Sequence, residues 1–538
     1  MSFPGRRRAR FALASLALAS ACVHGPPRIE GVAATPPTQT AQWTPPASVT
    51  EAAERDVVRP GRLDTVKQYT LAEAIDIALR KSPLTRQSWV QARAAADVYG
   101  STQGRLYPTL VAGVAINRSL ALSSPNRPAG ERTQYGPSGT LTYTVLDFGG
   151  RSGSIDVARQ TAIAVDLTHN ATVQNTILLV ESAAFTYLST RAQRDAQKAS
   201  LDLATATLDA ANERHHVGLA TIADVLQART ARSQAELQLQ TLEGILQVTK
   251  GSLAVSMGLP ANTAYDVPAV TLSDSVHFIT ESVDSLINVA VRNRPELASA
   301  RAQAEAAHSQ IQVAKSGYLP SLAFTGTGAN NASNVSNFAG NTYSLNVGVS
   351  VPVFSGFSNH YDVAAANEQF QAAQARTELT RQQIIQQVFT AYYTLRTATD
   401  RVRTSRDLLA NAIQSEEVAR GRYKEGVGNI VDLLVAQSAL ATARSQDVDS
   451  RWQWRSALAQ LAHDRGVFGS DTALVDWRTI LGRQPARLHD VFGAEWNPGE
   501  RAITRGLLRQ HLNPRVNGRI LRANALQAGR QRTLTHRA

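Results

Sequence analysis

At 538 residues the chain is long enough for several domains, yet aromatic residues make up only 6% of it and Cys22 is its one cysteine. This excludes an intramolecular disulfide framework and a cysteine-rich zinc site, while abundant alanine and glutamine suit long helices packed through small side chains. The formal charge of +12 sits at the ends: residues 501–538 carry nine arginines and no acid, and Arg6, Arg7, Arg8 and Arg10 add four more. The body between is nearly neutral and has no basic stripe interleaved with aromatics, which excludes a nucleic-acid-binding body.

In chain order, the first arginines precede FALASLALA and then Ser20, Ala21 and Cys22, so residues 1–22 have the layout of an export signal. The segment is too short to span a bilayer permanently. Cys22 directly after LASA resembles the end of a bacterial lipoprotein signal, in which the cysteine becomes the acylated first residue of the mature protein. Ala19 stands where leucine is usual, with Leu18 one place earlier. Three readings remain, lipidation at Cys22, an ordinary signal cleaved nearby or a chance cysteine; lipidation would anchor the chain at about 0.8 kcal/mol per buried methylene. Residues 23–64, with paired prolines at 26–27, 36–37 and 45–46, read as an extended linker. No later segment offers 18 uninterrupted apolar residues, so a membrane crossing would have to be made by strands.

The rest is one unit written twice, assigned to residues 65–270 and 280–470. Residues 72–110 align with 284–322, placing Pro83 on Pro295 and Pro108 on Pro320. VLDFGGR, residues 145–151, meets VPVFSGF, residues 351–357, which places Phe148 on Phe354 and Gly150 on Gly356. RHHVGLATIADVLQAR, residues 214–229, then meets RYKEGVGNIVDLLVAQ, residues 422–437, with Gly218 on Gly426 and Asp224 on Asp432.

Each unit reads helix, strand, strand, long helix, helix. The helical period over 71–104 should end just before Pro108, which lacks a donor and fixes its own backbone angle. The period then changes to two: Leu110, Ala112, Val114 and Ile116 alternate with smaller or more polar residues, followed by Leu141, Tyr143 and Val145. Their counterparts are Leu322, Phe324 and Gly326, then Leu345, Val347, Val349, Val351 and Val353. Four strands of about ten residues match a tilted bilayer crossing. Residues 118–139 and 328–341, polar and rich in glycine, are expected as outer loops. Four strands cannot close a barrel and an open edge is forbidden in lipid, so three copies of the chain, supplying twelve, would be required. A small soluble sheet capping a helical bundle would use the same alternation.

From Gly153 to His216 there is no proline, which predicts a helix of about 60 residues and roughly 95 Å. Leu201, Ala204, Leu208, Ala211 and His215 keep heptad spacing, as do Val225, Ala228, Arg232, Ala235, Leu239, Leu242, Leu246, Thr249 and Leu253. Arg232 interrupts this seam, and Asp447 and Ser450 do so in the second unit, so a plain two-stranded coiled coil is not expected. The pair of corners reads as a helix stop and restart. Gly218 and Gly426 suit a left-handed C-terminal residue, and Thr221 and Asn429 suit the next N-cap, with Asp224 and Asp432 three residues on as acidic partners.

The doubled unit, the segment LDFGGR after a strand, and the corners GLATIADVLQA and GVGNIVDLLVA resemble the outer membrane efflux protein family, of which TolC is the type. The resemblance covers residues 65–470. It implies a mainly α protein with a small membrane β-barrel portion: a trimer whose twelve strands form an outer membrane barrel continued by a tube of long helices through the periplasm. It also places the corners near the periplasmic tip, where Asp224, Tyr423 and Asp432 would occupy aperture positions. Gly428 stands where the family type has arginine, and Val435 where it has a second acid. The implied partners are two further copies, a periplasmic adaptor, an inner-membrane pump (RND-type before ABC-type) and outer membrane lipid, with no cofactor or metal. The implied function is the exit duct of a tripartite efflux system for small toxic compounds. Export of a polypeptide by a type I secretion system is the alternative, and a periplasmic coiled-coil adaptor or tether a third.

No nucleophile and base set or phosphate-binding glycine loop marks an enzyme, and His215 and His216 lie on different helix faces. Residues 471–538 fit neither unit, and their basic part, 501–538, reads as a solvated tail; binding to an anionic surface is the alternative.

Overall fold

The computed structural model describes residues 68–121, 130–268, 281–334 and 339–466, together with a short pairing of Arg28–Ile29 against Val32–Ala33. The export signal, Cys22, the tail and nearly all of the linker lie outside the described residues.

The first repeat comprises α1 (Leu71–Lys81), α2 (Pro83–Gly104), β1 (Thr109–Ala121), β2 (Gly130–Leu146), α3 (Gly150–His216) and α4 (Ile222–Ser256). The second comprises α5 (Val283–Asn293), α6 (Pro295–Ser316), β3 (Ser321–Ser333), β4 (Gly340–Ser350), α7 (Ser358–Lys424) and α8 (Ile430–Asp464). Paired helices have identical lengths of 11, 22, 67 and 35 residues. The expected long helices are present, and at 1.5 Å per residue each reaches about 100 Å. The helical stretch before the strands is broken in both repeats, because Pro83 and Pro295 each open a new helix and force the preceding residue into extended backbone. Thr70 starts α1 with a capping box, accepting from Glu73 N while Glu73 Oε2 accepts from Thr70 N at 2.9 Å.

Two sequence expectations are corrected. The helices after the strands begin at Gly150 and Ser358, so the junctions superpose two residues away from the alignment on phenylalanine. The left-handed pair Phe148–Gly149 is matched by Gly356–Phe357, with the aromatic residue and the glycine exchanging places. The strands also run well into segments expected as loops. They are 13, 17, 13 and 11 residues long, and Arg118 pairs with Thr133 while Asn330 pairs with Asn341. Glycine, proline and asparagine there misread as loop because the hairpins tolerate them. Pro137 lies opposite Val114 but makes no pair with β3, where its missing N–H would have been needed. A Cβ at Gly136 would collide with the Asn330 carbonyl.

The sheet is an antiparallel meander, β1-β2-β3-β4, in which β2 pairs β3 and so joins the two repeats; among the described residues β1 and β4 are free edges. Below it, α1 packs on α3 and α4 through Ala74, Ala78, Val180, Ala184, Leu253 and Met257. In the second repeat, α5 and the start of α6 pack on α7 and α8 through Leu286, Ala290, Leu297, Ile384, Val388 and Leu461. Ala204, Ala211, Ala228, Ala412 and Ala443 are buried along the hairpins, so backbones approach closely as the composition implied. The polar seam positions are satisfied: Arg232 pairs with Glu236 at 3.5 Å, Asp447 with Arg451 at 3.0 Å, and Ser450 with Ser405 at 2.7 Å.

Two buried polar features set the repeats apart. Arg294 reaches Glu296 at 2.9 and 3.0 Å, Gln387 at 3.0 Å and Asp464 at 3.3 Å, and His463 bridges Asp464 (2.9 Å) to Asn175 of α3 (2.8 Å). Glu181 is buried in α3 with Oε2 lacking a hydrogen-bond partner, and burial pushes its carboxyl up to about 7.

Candidate functional site

The two corners share one backbone. Gly218 and Gly426 both take φ of 76°, a left-handed conformation that glycine adopts without a Cβ clash. Leu219 N donates to Arg214 O at 2.7 Å, and Val427 N and Gly428 N both donate to Arg422 O at 3.0 Å, so each helix end closes on the carbonyl of an equivalent arginine. At the first corner Thr221 Oγ1 accepts from Asp224 N at 3.3 Å and Asp224 Oδ2 accepts from Thr221 N at 2.8 Å, a complete capping box. At the second, Asn429 Oδ1 accepts from Asp432 N at 2.7 Å and the bond runs one way only. Asp432 is therefore not the reciprocal partner that the spacing suggested: its carboxylate remains exposed, whereas that of Asp224 is half-buried.

Both corners rest on one apolar cluster of Ala211, Val225, Ala228, Tyr423, Ile430 and Leu433, which fastens the first repeat to the second. A polar clamp crosses the same seam. The Arg214 guanidinium lies 4.8 Å from the centroid of the Tyr423 ring, and its Nη1 donates to Tyr423 O at 2.8 Å and Lys424 O at 3.3 Å. It thereby serves as a cation at the C-terminal end of α7. The Tyr423 hydroxyl is buried without a partner within the protomer, and burial raises its pKa, with Arg214 opposing and Asp224 adding to the rise. Sequence reasoning missed Arg214, since nothing local links it to a residue more than two hundred positions away. A Cβ at Gly428 would stand 3.0 Å from Arg422 Cβ, a tight contact. Val435, in the other departing position, is exposed, as are Leu219, Ile222, Leu226, Val427 and Val431 around the corners.

His215, the counterpart of Tyr423, uses Nδ1 against Ala220 O at 3.0 Å and so braces its own corner. Among the described residues no group of three or more His, Cys, Asp and Glu side chains gathers around a point that could hold a metal.

At the other end, the register sorts the strand residues onto two unlike faces. One carries Leu110, Val114, Ile116, Tyr135, Leu141, Tyr143, Leu322, Phe324, Leu345, Val347 and Val349. The opposite face carries Thr140, Thr142, Thr144, Thr325, Thr327, Ser138, Ser344, Asn346 and small residues, together with Val111, Gln134 and Arg132. The apolar face is exposed in the protomer, with Val114 at 78% and Leu345 at 73%. Near the far end of that face, Arg118 and Glu131 neutralise one another at 2.6 Å. Among the described residues no helix is long and apolar enough to cross a membrane.

The sequence model of the outer membrane efflux protein family matches residues 74–259 and 286–466. Among characterised relatives, protein CyaE of Bordetella pertussis is 27% identical over 480 residues, covering 87% of this chain and 97% of its own. The toluene efflux pump outer membrane protein TtgF of Pseudomonas putida is 26% identical over 411 residues, covering 73% and 82%. The crystal structure of the outer membrane protein VceC from Vibrio cholerae superposes with a TM-score of 0.66 at 19% identity, over 74% of this chain and 96% of that one.

Proposed function

This chain belongs to the outer membrane efflux protein family, an outer membrane channel family whose members extend into the periplasm, and from that premise we propose that it is the exit duct of a tripartite system exporting small toxic compounds. The observation that carries the reading is the sheet: four strands with two free edges, an exposed apolar face and a face of hydroxyl and small side chains. An open edge in hydrocarbon leaves unpaired backbone groups at several kcal/mol each, so the edges must be met by other copies. Three protomers supply twelve strands, apolar outward and polar inward, and the long hairpins continue the barrel as a tube. A periplasmic adaptor and an inner-membrane pump of the RND type complete the path. The cargo assignment rests on the toluene efflux relative and on the lipoprotein-like signal at Cys22, which we read as acylated.

In this assembly Asp224, Tyr423 and Asp432 line the periplasmic aperture, with Gly218, Thr221, Gly426 and Asn429 setting its corners. Three copies of two carboxylates around a narrow axis favour cations. Arg214 holds the first corner against the second.

The test is expression in cells lacking their own outer membrane channel, with efflux of a hydrophobic fluorescent dye measured alongside heat-modifiable migration of the extracted protein. Restored dye efflux by a heat-modifiable trimer is expected. Restored secretion of a type I polypeptide without dye efflux would replace the cargo assignment, and a detergent-independent soluble monomer would overturn the duct itself.

A further inference from the structure

The seam between the two repeats is a template for a surface that the protomer leaves bare. Within the chain β2 pairs β3, and α3 packs on α6 and α8 as well as on the helices of its own repeat. By position α7 is to the second repeat what α3 is to the first. Among the described residues, however, α7 packs on α5, α6 and α8 and makes no substantial contact with α2 or α4, the counterparts of α6 and α8. Because α2 and α6 open at Pro83 and Pro295, α3 and α7 at Gly150 and Ser358, and α4 and α8 at Ile222 and Ile430, each residue of the seam has a defined counterpart on these unpartnered faces.

The counterparts fit one another in size. Next to the sheet, Gly149 is faced by Gln312, whose Nε2 would stand 2.6 Å from a Cβ there and which donates to Phe148 O at 3.3 Å. The matching positions are Phe357, whose ring is 68% exposed although it meets Phe354 at 5.6 Å, and Gly100, where a Cβ would meet nothing within 4 Å. Farther down, Phe185 lies against Trp452 with ring centroids 5.9 Å apart. The matching positions there are Tyr393, 43% exposed, and Gly244, where the space is again open. At both levels a bare aromatic ring is answered by a glycine. The strands agree as well. Transferring the β2–β3 register to β4 and β1 puts Val349 opposite Val114, Val347 opposite Ile116 and Tyr343 opposite Leu120 on the apolar face, with Asn346 opposite Asn117 on the other. A slip of one residue would bring an asparagine against the apolar row.

We propose that a second copy of this chain docks on these faces as a replica of the seam between repeats: α7 and β4 of one copy against α2, α4 and β1 of the next, with Phe357 seated over Gly100 and Tyr393 over Gly244. The proposal rests on the duct reading and supplies its ring with a joint defined residue by residue. The two faces are unlike, so the contact runs head to tail, and contacts of that kind close into rings when the rotation allows. An unrelated partner has no reason to present room at both glycines and a strand whose apolar and polar residues fall in step with β4.

The experiment uses the full-length chain in outer membranes. Asn117→Cys combined with Asn346→Cys, oxidised with copper phenanthroline, should give disulfide-linked dimers and trimers on non-reducing gels, since directly opposed Cβ atoms lie within bridging distance. Each single variant, with Cys22 unchanged, is the control. Gly113→Cys combined with Asn346→Cys lies about 13 Å out of register and should not link; a Cβ at Gly113 meets only Ser138 Oγ, at 3.9 Å. Gly100→Trp and Gly244→Trp should leave the helix content of the protomer unchanged while the extracted trimer dissociates at a lower temperature. Gly100→Phe should act likewise, and adding Phe357→Gly should recover the trimer. Heat-modifiable trimers that link through position 113 or not at all, or that resist heat as well as the parent in both Gly100→Trp and Gly244→Trp, would overturn the joint and leave the duct standing. Protein extracted only as a monomer, with no link in either pair, would remove the duct reading and the joint with it.

Discussion

At the break before Pro83 the first repeat uses Ser82, whose Oγ accepts from Leu84 N at 3.3 Å; at the matching break before Pro295 the second uses Arg294, buried among Glu296, Asp464 and Gln387. In α3 the first repeat buries Glu181, where α7 presents the half-exposed ring of Phe389. At the corners, Arg214 crosses to the second repeat while its counterpart Arg422 is exposed, and a complete capping box on one side faces a single cap bond on the other. The backbone is nevertheless the same to the residue in all four helix pairs. A few punctuating residues, Pro83, Pro295, Gly218, Gly426 and the caps, therefore suffice to set the skeleton. The side chains on it are free to specialise, one hairpin to hold and the other to be held.

The comparison can be broken most severely at Arg294. Arg294→Ser would give the second repeat the residue of the first, but leaves Asp464 buried without its cation. The expected loss is about 3–5 kcal/mol, read as a fall in thermal unfolding temperature.

Glu181→Gln should sharpen the contrast through pH. The carboxyl of Glu181 is raised from 4.5 to about 7 in the fold, so the folded state favours the protonated form and stability falls as pH rises from 4.5 through 7. At pH 8 the cost is about 3 kcal/mol, at 1.36 kcal/mol per unit. The glutamine variant should gain most of that at pH 8 and nothing at pH 4, measured by chemical denaturation at both values. A gain that does not depend on pH would mean that the side chain's volume, and not its charge, is at issue.

Arg214→Gln should cost about 1–3 kcal/mol through loss of the ring contact and of the bonds to the α7 carbonyls, whereas Arg422→Gln at the matching position should fall within about 0.5 kcal/mol. Equal effects would erase the distinction between the corners. Smallest of all, Thr221→Ala and Asn429→Ala should each lose about 1 kcal/mol, with hydrogen exchange in the first turns of α4 and α8 as the readout.

Much of this was legible in the sequence. The repeat, the long helix ending at His216 and the glycine stops at 218 and 426 follow from local rules that proline, glycine and heptad spacing express directly, whereas the breaks before Pro83 and Pro295 fall inside a stretch expected as one helix. The strand boundaries were less so, since Pro137, Gly136 and the asparagines at 330 and 331 carry the chemistry of loops while lying within paired strands. The site was legible as a backbone and illegible as a clamp. The N-caps Thr221 and Asn429 were readable from spacing, though the missing return bond of Asp432 was not, and Arg214 on Tyr423 and Arg294 on Asp464 are pairings between distant segments that no local pattern announces. The exchange of Phe148–Gly149 for Gly356–Phe357 escaped for a related reason: matching identical letters placed phenylalanine on phenylalanine, while the backbone matches left-handed residue to left-handed residue.

The central claim is a pore closed by the doubled corner, and single-channel recording tests it most directly. The detergent-extracted oligomer would be placed in a planar bilayer and compared with an Asp224→Ser, Asp432→Ser variant. A small, cation-preferring conductance in the parent that rises and loses its preference in the variant is the predicted result. Correctly inserted trimers that pass no current in either form would contradict the account and leave both aspartates as helix caps alone.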